Sequence, residues 1–237
     1  MRLDKYLASA TQMTRREIKR ALKKTPAVVD GVKVSAPETQ VDVRSVVRFM
    51  GEKIEYHEYT YILMNKPAGL VCTNREGRNP TVFSILDDRL KGKELFTVGR
   101  LDKDTTGLLI ITDDGDLSHR MMHPKKHVEK TYSLTCDRPI PQSAVESFKA
   151  GIDIGDDKPT KPADLVISGI DEKSALLTIS EGRFHQVKRM MKAVGCEVIV
   201  LNRCSVGDFD LKDGPSVGEY RFFNERELEI VDKIKNQ

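Results

Sequence analysis

The chain has no apolar run of the roughly 18 residues that a bilayer crossing needs. Its opening, Met1-Arg2-Leu3-Asp4-Lys5, lacks the apolar core of a secretory leader. A cytoplasmic location is therefore the expectation. Cysteine is scarce: Cys72, Cys136, Cys196 and Cys204 are scattered, with no C-x-x-C pair. That spacing argues against a structural zinc site and fits reduced, incidental thiols. Internal repeats, low-complexity segments and a dinucleotide-binding motif are also missing. Charge of one sign is not in surplus either, since the net charge is only +3. Its distribution is uneven, however. Residues 1–25 hold eight Lys/Arg and two acidic residues, net +6, so the rest sums to −3. A local basic patch concentrates a polyanion such as RNA, although a solvated helix face would read the same way.

What is present divides the 237 residues into a small module and a larger domain. Leu3, Tyr6, Leu7 and Ala10 fall at helical spacing, which predicts a first helix. Thr14-Arg15-Arg16-Glu17 is a capping box that starts a second. Its inward positions are Ile18, Ala21 and Leu22, and Arg15, Arg16, Lys19, Arg20, Lys23 and Lys24 occupy its other faces. Val28–Val34 splits around Asp30-Gly31, a hairpin signal. Residues 51–60 are polar and weakly patterned, and read as a linker. From Tyr61 onward, β-branched and apolar runs recur at 61–64, 96–98, 108–112, 131–136, 165–167, 176–180 and 198–201. Helical stretches intervene near 116–122, 142–150 and 185–194, and Asn224 with Glu227 forms another capping box. The pattern predicts an α+β domain over 61–237 on a mixed or antiparallel sheet with flanking helices.

Three segments carry residues suited to chemistry. Asp102 lies in Gly99-Arg100-Leu101-Asp102-Lys103-Asp104-Thr105-Thr106-Gly107, a loop between two strands. Flanking Arg100 and Lys103 favour its charged form, which suits a nucleophile or a stabiliser of positive charge. Without context, a loop aspartate is more often only a cap or turn former. Asp102, Asp104, Thr106, Gly107 and Asp113 also match the spacing of a calcium loop. Ile110 at the ninth position and strand-like flanks oppose that reading. The second segment is Glu181-Gly182-Arg183-Phe184-His185-Gln186-Val187-Lys188-Arg189-Met190-Met191, opening a helix whose cations suit a phosphate backbone. Arg183 has the alternative of pairing with a carboxylate. The third is Glu129-Lys130-Thr131-Tyr132. Tyr132 has a ring for stacking and a hydroxyl for proton transfer, or serves as core. His119, His123 and His127 recur every four residues, but Pro124 interrupts the helix that would align them as metal ligands.

Two short helices and a hairpin, opened by RLDKYL, resemble the alpha-L (S4-type) RNA-binding domain over residues 1–50. Four further segments, Asn65-Lys66-Pro67, GRLDKDTTGLL, EKTY and EGRFHQVKRM, resemble the RsuA branch of the pseudouridine synthases across nearly the whole chain. The resemblance implies an isomerase that converts one uridine of small-subunit (16S) rRNA, uridine 516 in bacterial numbering, to pseudouridine. Thr160-Lys161-Pro162-Ala163 resembles the small-subunit enzyme more than its large-subunit relatives in the same branch. The implied roles are Asp102 as catalytic carboxylate, Tyr132 stacked on the base and Arg183 paired with Asp102. Arg100 would help hold the flipped-out state and Leu201 line the pocket. Lys66, Lys188, Arg189, Arg15, Arg16, Lys19 and Arg20 complete the expected RNA contacts. Neither cofactor nor metal is implied. The expected partner is small-subunit rRNA, naked or partly assembled into ribonucleoprotein. A membrane, a small-molecule cosubstrate and self-association are not part of that expectation. The alternatives are a large-subunit (23S) rRNA pseudouridine synthase of the same branch and a non-catalytic rRNA-binding assembly factor that kept the fold. A lost aspartate or tyrosine would favour the latter, and both Asp102 and Tyr132 are in place.

Overall fold

The computed structural model describes residues 1–11, 13–54, 56, 58–75, 77–90 and 92–236. These form two compact units, Met1–Thr60 with Asp87–Lys93, and Tyr61–Leu86 with Glu94–Gln237.

In the first unit, α1 (Leu3–Ala10) and α2 (Arg15–Lys24) precede four short strands. The Thr14 hydroxyl accepts from the Glu17 amide and the Glu17 carboxylate accepts from the Thr14 amide, so two orphan donors of α2 are satisfied reciprocally. The helix stops at Thr25, ahead of Pro26, which cannot continue it. β1 (Ala27–Val29) and β2 (Val32–Val34) pair around Asp30 and Gly31, both at positive φ, as a two-residue hairpin turn requires. β3 (Val47–Phe49) and β4 (Glu52–Ile54) complete a sheet in the order β2-β1-β3-β4. The sequence pattern places a linker at 51–60, but its start is strand β4, turned back on β3 by Met50-Gly51 at positive φ. Leu3, Tyr6, Leu7, Ile18, Leu22, Ala27, Val47 and Phe49 form the core. Beneath α2, Asp4 is buried and accepts from Arg2 and Arg15.

The second unit is a mixed α/β domain. Its elements are β5 (Tyr61–Lys66), β6 (Phe96–Val98), β7 (Thr106–Thr112), α3 (Gly115–Met122), β8 (Lys130–Cys136), α4 (Ser143–Ala150) and β9 (Asp164–Ser168). β10 (Ser174–Ile179), α5 (Gln186–Ala193), β11 (Val198–Val206), β12 (Phe209–Asp210), β13 (Tyr220–Phe222) and α6 (Glu225–Lys235) follow. The strand order is β13-β5-β7-β11-β8-β10-β9, with β6 on β7 and β12 on β11. Among the described strands of this sheet, only β7 and β11 pair in parallel. β5 and β7 are buried on both faces, which is why their sequences run apolar without alternation. β8 and β10 alternate, with Tyr132, Leu134, Leu177 and Ile179 inward and Ser or Thr between them. Gly107 makes the parallel pairing possible. It has φ +106, and a Cβ there would lie 2.3 Å from the Arg203 carbonyl oxygen and 2.6 Å from its nitrogen.

Asp114 ties the domain's exterior together. Its buried carboxylate caps α3 through the Leu117 amide and accepts from the Tyr61 hydroxyl at 2.7 Å and the Lys235 ammonium at 2.8 Å. The closing helix α6 begins with the capping box expected at Asn224 and Glu227.

Candidate active site

The loop after β6 enters β7 through Asp102, whose side chain is about a third exposed (31%). Its backbone is fixed from below. Lys66, on β5, is completely buried and donates to the carbonyls of Pro67 (3.0 Å), Asp102 (3.1 Å), Lys103 (3.4 Å) and Thr105 (2.8 Å). Burial pulls its ammonium below the ordinary lysine value, against the attraction of Cys72, Asp104 and Asp102. The expectation that Lys66 contacts RNA does not fit this placement. Four carbonyl acceptors occupy the ammonium, and its work is to hold the aspartate loop.

The groups beside Asp102 also differ from those adjacent in sequence. His185 Nε2 is 3.4 Å from Oδ1, and Lys188 Nζ is 3.5 Å from Oδ2. Lys188 also bonds both Asp104 oxygens, at 2.6 and 2.7 Å. That bonding is the main reason Asp104 is held below the usual carboxylate range. Lys103, expected as a neighbour, turns to Asn79. His185 stands at φ 48 just before α5, its ring stacked on Phe184 at 3.8 Å. That left-handed turn presents it to the aspartate, a backbone feature no motif spacing announces.

Arg183 is not paired with Asp102. Its guanidinium bonds Glu181, Asp156 and the carbonyls of Lys158 and Pro159. Arg189 is committed to Asp156 and to the carbonyls of Ile154 and Phe184. The reason in both cases is the 154–159 segment, whose carboxylate and free carbonyls outcompete water for these guanidinium groups.

These parts line an open cavity of about 150 Å³. Asp102, Tyr132, Arg183, Arg100, Leu201 and Lys188 all line it, so six of the expected residues meet in one place. Tyr132 and Leu201 are nearly buried and Arg100 is exposed. His185, Lys130, Thr105 and Arg203 line the same cavity and were not singled out from sequence. Arg203 follows Leu201 by two residues and pairs directly with Tyr132 across β8 and β11, so period-two alternation puts all three on one face. That alternation would have exposed the signal. Lys130 donates to the Val128 carbonyl, and burial, reinforced by Arg203's charge, lowers its pKa.

The remaining expected RNA-binding residues lie on α2, in the other unit. Arg15 bonds Asp4 at 3.0 Å and Lys19 lies 3.8 Å from it. Arg16 and Arg20 are exposed, and among the described residues no carboxylate is within ion-pair distance of either. The His119 and His123 rings meet edge to face, but His127 bonds Lys161 instead. Among the described residues, no three His, Cys, Asp or Glu side chains gather as a metal site would need. The residues of the calcium-loop spacing run into strand β7 rather than forming a helix-flanked loop.

Comparison with known proteins gives this cavity its context. Residues 60–193, more than half of the chain, match the family model described as RNA pseudouridylate synthase. The ribosomal small subunit pseudouridine synthase A of Haemophilus influenzae is 41% identical over 98% of this chain and 100% of its own length. An uncharacterized RNA pseudouridine synthase of Bacillus subtilis is 39% identical over 98% of this chain and 99% of its own. A pseudouridylate synthase crystal structure, 39% identical, covers 98% of this chain and 99% of its own with a TM-score of 0.68. A family match that contributes β5 through α5, joined to similarity along the full length of several relatives, leaves one assignment: the chain belongs to the RNA pseudouridylate synthase family, in its RsuA branch, and is a pseudouridine synthase.

Proposed function

We propose that this enzyme isomerises one uridine of small-subunit (16S) rRNA, uridine 516 in bacterial numbering, with Asp102 as its catalytic carboxylate. The observation that carries the reading is the meeting of Asp102, Tyr132 and Leu201 in one small, cation-lined cavity. The full-length similarity to bacterial enzymes named for the ribosomal small subunit points to the RNA.

The reaction breaks the bond from ring nitrogen to ribose, turns the base, and rejoins it through a ring carbon. The base must first leave the RNA stack, at a cost of a few kcal/mol. Stacking on Tyr132 returns roughly 1–3 kcal/mol of that. Arg100, exposed at the rim, suits the vacated strand. Asp102 either attacks the ribose carbon or removes the proton from the neighbouring sugar position; its placement is compatible with both. Tyr132 can then take the proton from the ring carbon. Lys188 and His185 orient the carboxylate, the place first expected of Arg183. The N-terminal unit acts as the alpha-L (S4-type) RNA-binding domain, with the exposed cations of α2 against phosphates. The substrate is naked rRNA or a partly assembled ribonucleoprotein, and the chain works as a monomer in the cytoplasm.

Mapping pseudouridines in rRNA from cells lacking the chain tests the reading. The expected result is loss of one modification, in small-subunit rRNA. An unchanged small-subunit map, or loss of a large-subunit site instead, would refute it.

A further inference from the structure

Among the described residues, three buried side-chain polar atoms have no hydrogen-bond partner: Asn65 Oδ1, Thr105 Oγ1 and Arg203 Nη2. Folded proteins pair the great majority of such atoms, and an orphan calls for a cause. Two of the three, on Thr105 and Arg203, belong to residues that line the Asp102 cavity, and both residues are only 2% exposed. Their backbones are fixed. The Thr105 amide donates to the Asp102 carbonyl, and its own carbonyl accepts from Lys66. Arg203 is pinned by its Nε, which donates to the Leu108 carbonyl at 2.9 Å, while its outer Nη2 stays unpaired. A register shift in β11 directly after Arg203 interrupts the strand ladder there, a device common beside active sites. No carboxylate among the described residues forms an ion pair with Arg203 or with its neighbour Lys130.

We propose that Arg203 and Thr105 read the hydrogen-bonding edge of the flipped uracil, Arg203 donating to a ring carbonyl and the Thr105 hydroxyl accepting from the ring N3–H. The assignment rests on the reading that the target base enters this cavity. Uracil presents acceptor, donor, acceptor along that edge. A guanidinium has only donors, so it matches a carbonyl and is mismatched with the amino group of cytosine. The edge also suits this reaction. Turning the base about the axis through N3 exchanges the attached ring nitrogen for the ring carbon and swaps the two carbonyls. The pattern offered to the protein is therefore the same before and after, and one set of partners serves substrate, detached base and product. Tyr132, opposite Arg203 in register, covers the ring face while these two hold its edge.

The test uses the full-length enzyme and a small-subunit rRNA transcript carrying uridine, 2-thiouridine or 4-thiouridine at the target position. Thr105→Val keeps the shape and removes an unpaired hydroxyl, so its melting temperature should be unchanged or higher. Its kcat/KM should fall about tenfold, with Thr105→Ser restoring activity. In the wild type, sulfur in place of one ring oxygen, a weaker acceptor, should lower kcat/KM about tenfold. In Arg203→Lys the same replacement should lower it much less, because the guanidinium bond to that atom is already missing. Full activity of Thr105→Val, or a wild type indifferent to both sulfur positions, overturns the proposal whether or not the arginine variant folds. An active Asp102→Asn would instead sink the underlying site assignment. An inactive Asp102→Asn beside a fully active Thr105→Val sinks only this one.

Discussion

Two helices of this protein are both rich in cations, RREIKRALKK in α2 and QVKRMMKA with its lead-in Arg183 in α5, yet their charges are spent differently. On α2, Arg16, Arg20, Lys23 and Lys24 are exposed and, among the described residues, unmatched by any carboxylate; only Arg15 and Lys19 turn to the buried Asp4. Around α5 every expected cation has an acidic partner. Lys188 holds Asp104 and approaches Asp102, while Arg183 and Arg189 share Asp156. An unmatched cation attracts phosphate at a distance. A matched one gives up that reach and fixes local geometry. On the proposed function the first helix would serve affinity and the second arrangement, a difference that composition cannot report.

The largest expected effect on stability concerns the buried carboxylate that joins α1 to α2. Asp4→Asn removes a buried charge that two arginines bond, and should cost about 2–3 kcal/mol, seen as reduced hydrogen-exchange protection in α1 and α2. Protection equal to wild type would show that the pairs are ornamental. The same group sets a pH dependence. Burial pushes the Asp4 carboxyl up, but the bonds from Arg2 and Arg15 outweigh it and hold the pKa below normal. Its stabilisation is therefore complete above the unfolded value of roughly 3.9 and is lost as pH falls through the lower folded value. Acid titration of the same amides should show this, and Asp4→Asn should remove it.

Lys188→Met probes the other helix. It should lower kcat roughly tenfold while RNA affinity and its salt dependence stay nearly unchanged. Weakened binding with an intact kcat would reverse the contrast drawn between the helices. Smaller again is the effect of charge on α2. Replacing Arg16 and Arg20 with Gln should weaken RNA binding and reduce the slope of log K against log salt by about 0.7–0.9 for each phosphate no longer neutralised. Turnover at saturating RNA should not change. Replacing Lys19 should do less, because it is partly engaged by Asp4.

Much of the architecture is legible in the sequence because its signals are local. Thr14 with Glu17, Asn224 with Glu227, and Asp30-Gly31 each specify an end or a turn by their own chemistry. β3 and β4 leave no such mark, because Met50-Gly51 lacks the Asn or Asp that usually signals a turn of this kind. β12 and β13 are too short to show a period. The site divides along similar lines. Asp102 and Tyr132 stand in distinctive motifs, but what surrounds Asp102 depends on packing between distant segments. Lys66 looks like any strand-end lysine until its carbonyl partners are seen. His185 reaches the aspartate only through a left-handed turn. Arg183 is drawn away by Asp156, a residue 27 positions earlier that carries no motif. Residue type and spacing identify the groups capable of chemistry, and long-range packing decides their partners.

The role of Asp102 is open to direct measurement. Tritium release from RNA labelled at the uridine ring carbon, compared for wild type and Asp102→Asn, reads the reaction itself. No release above background is expected from the variant, with RNA binding largely kept. Equal release by the two proteins would contradict that role for Asp102.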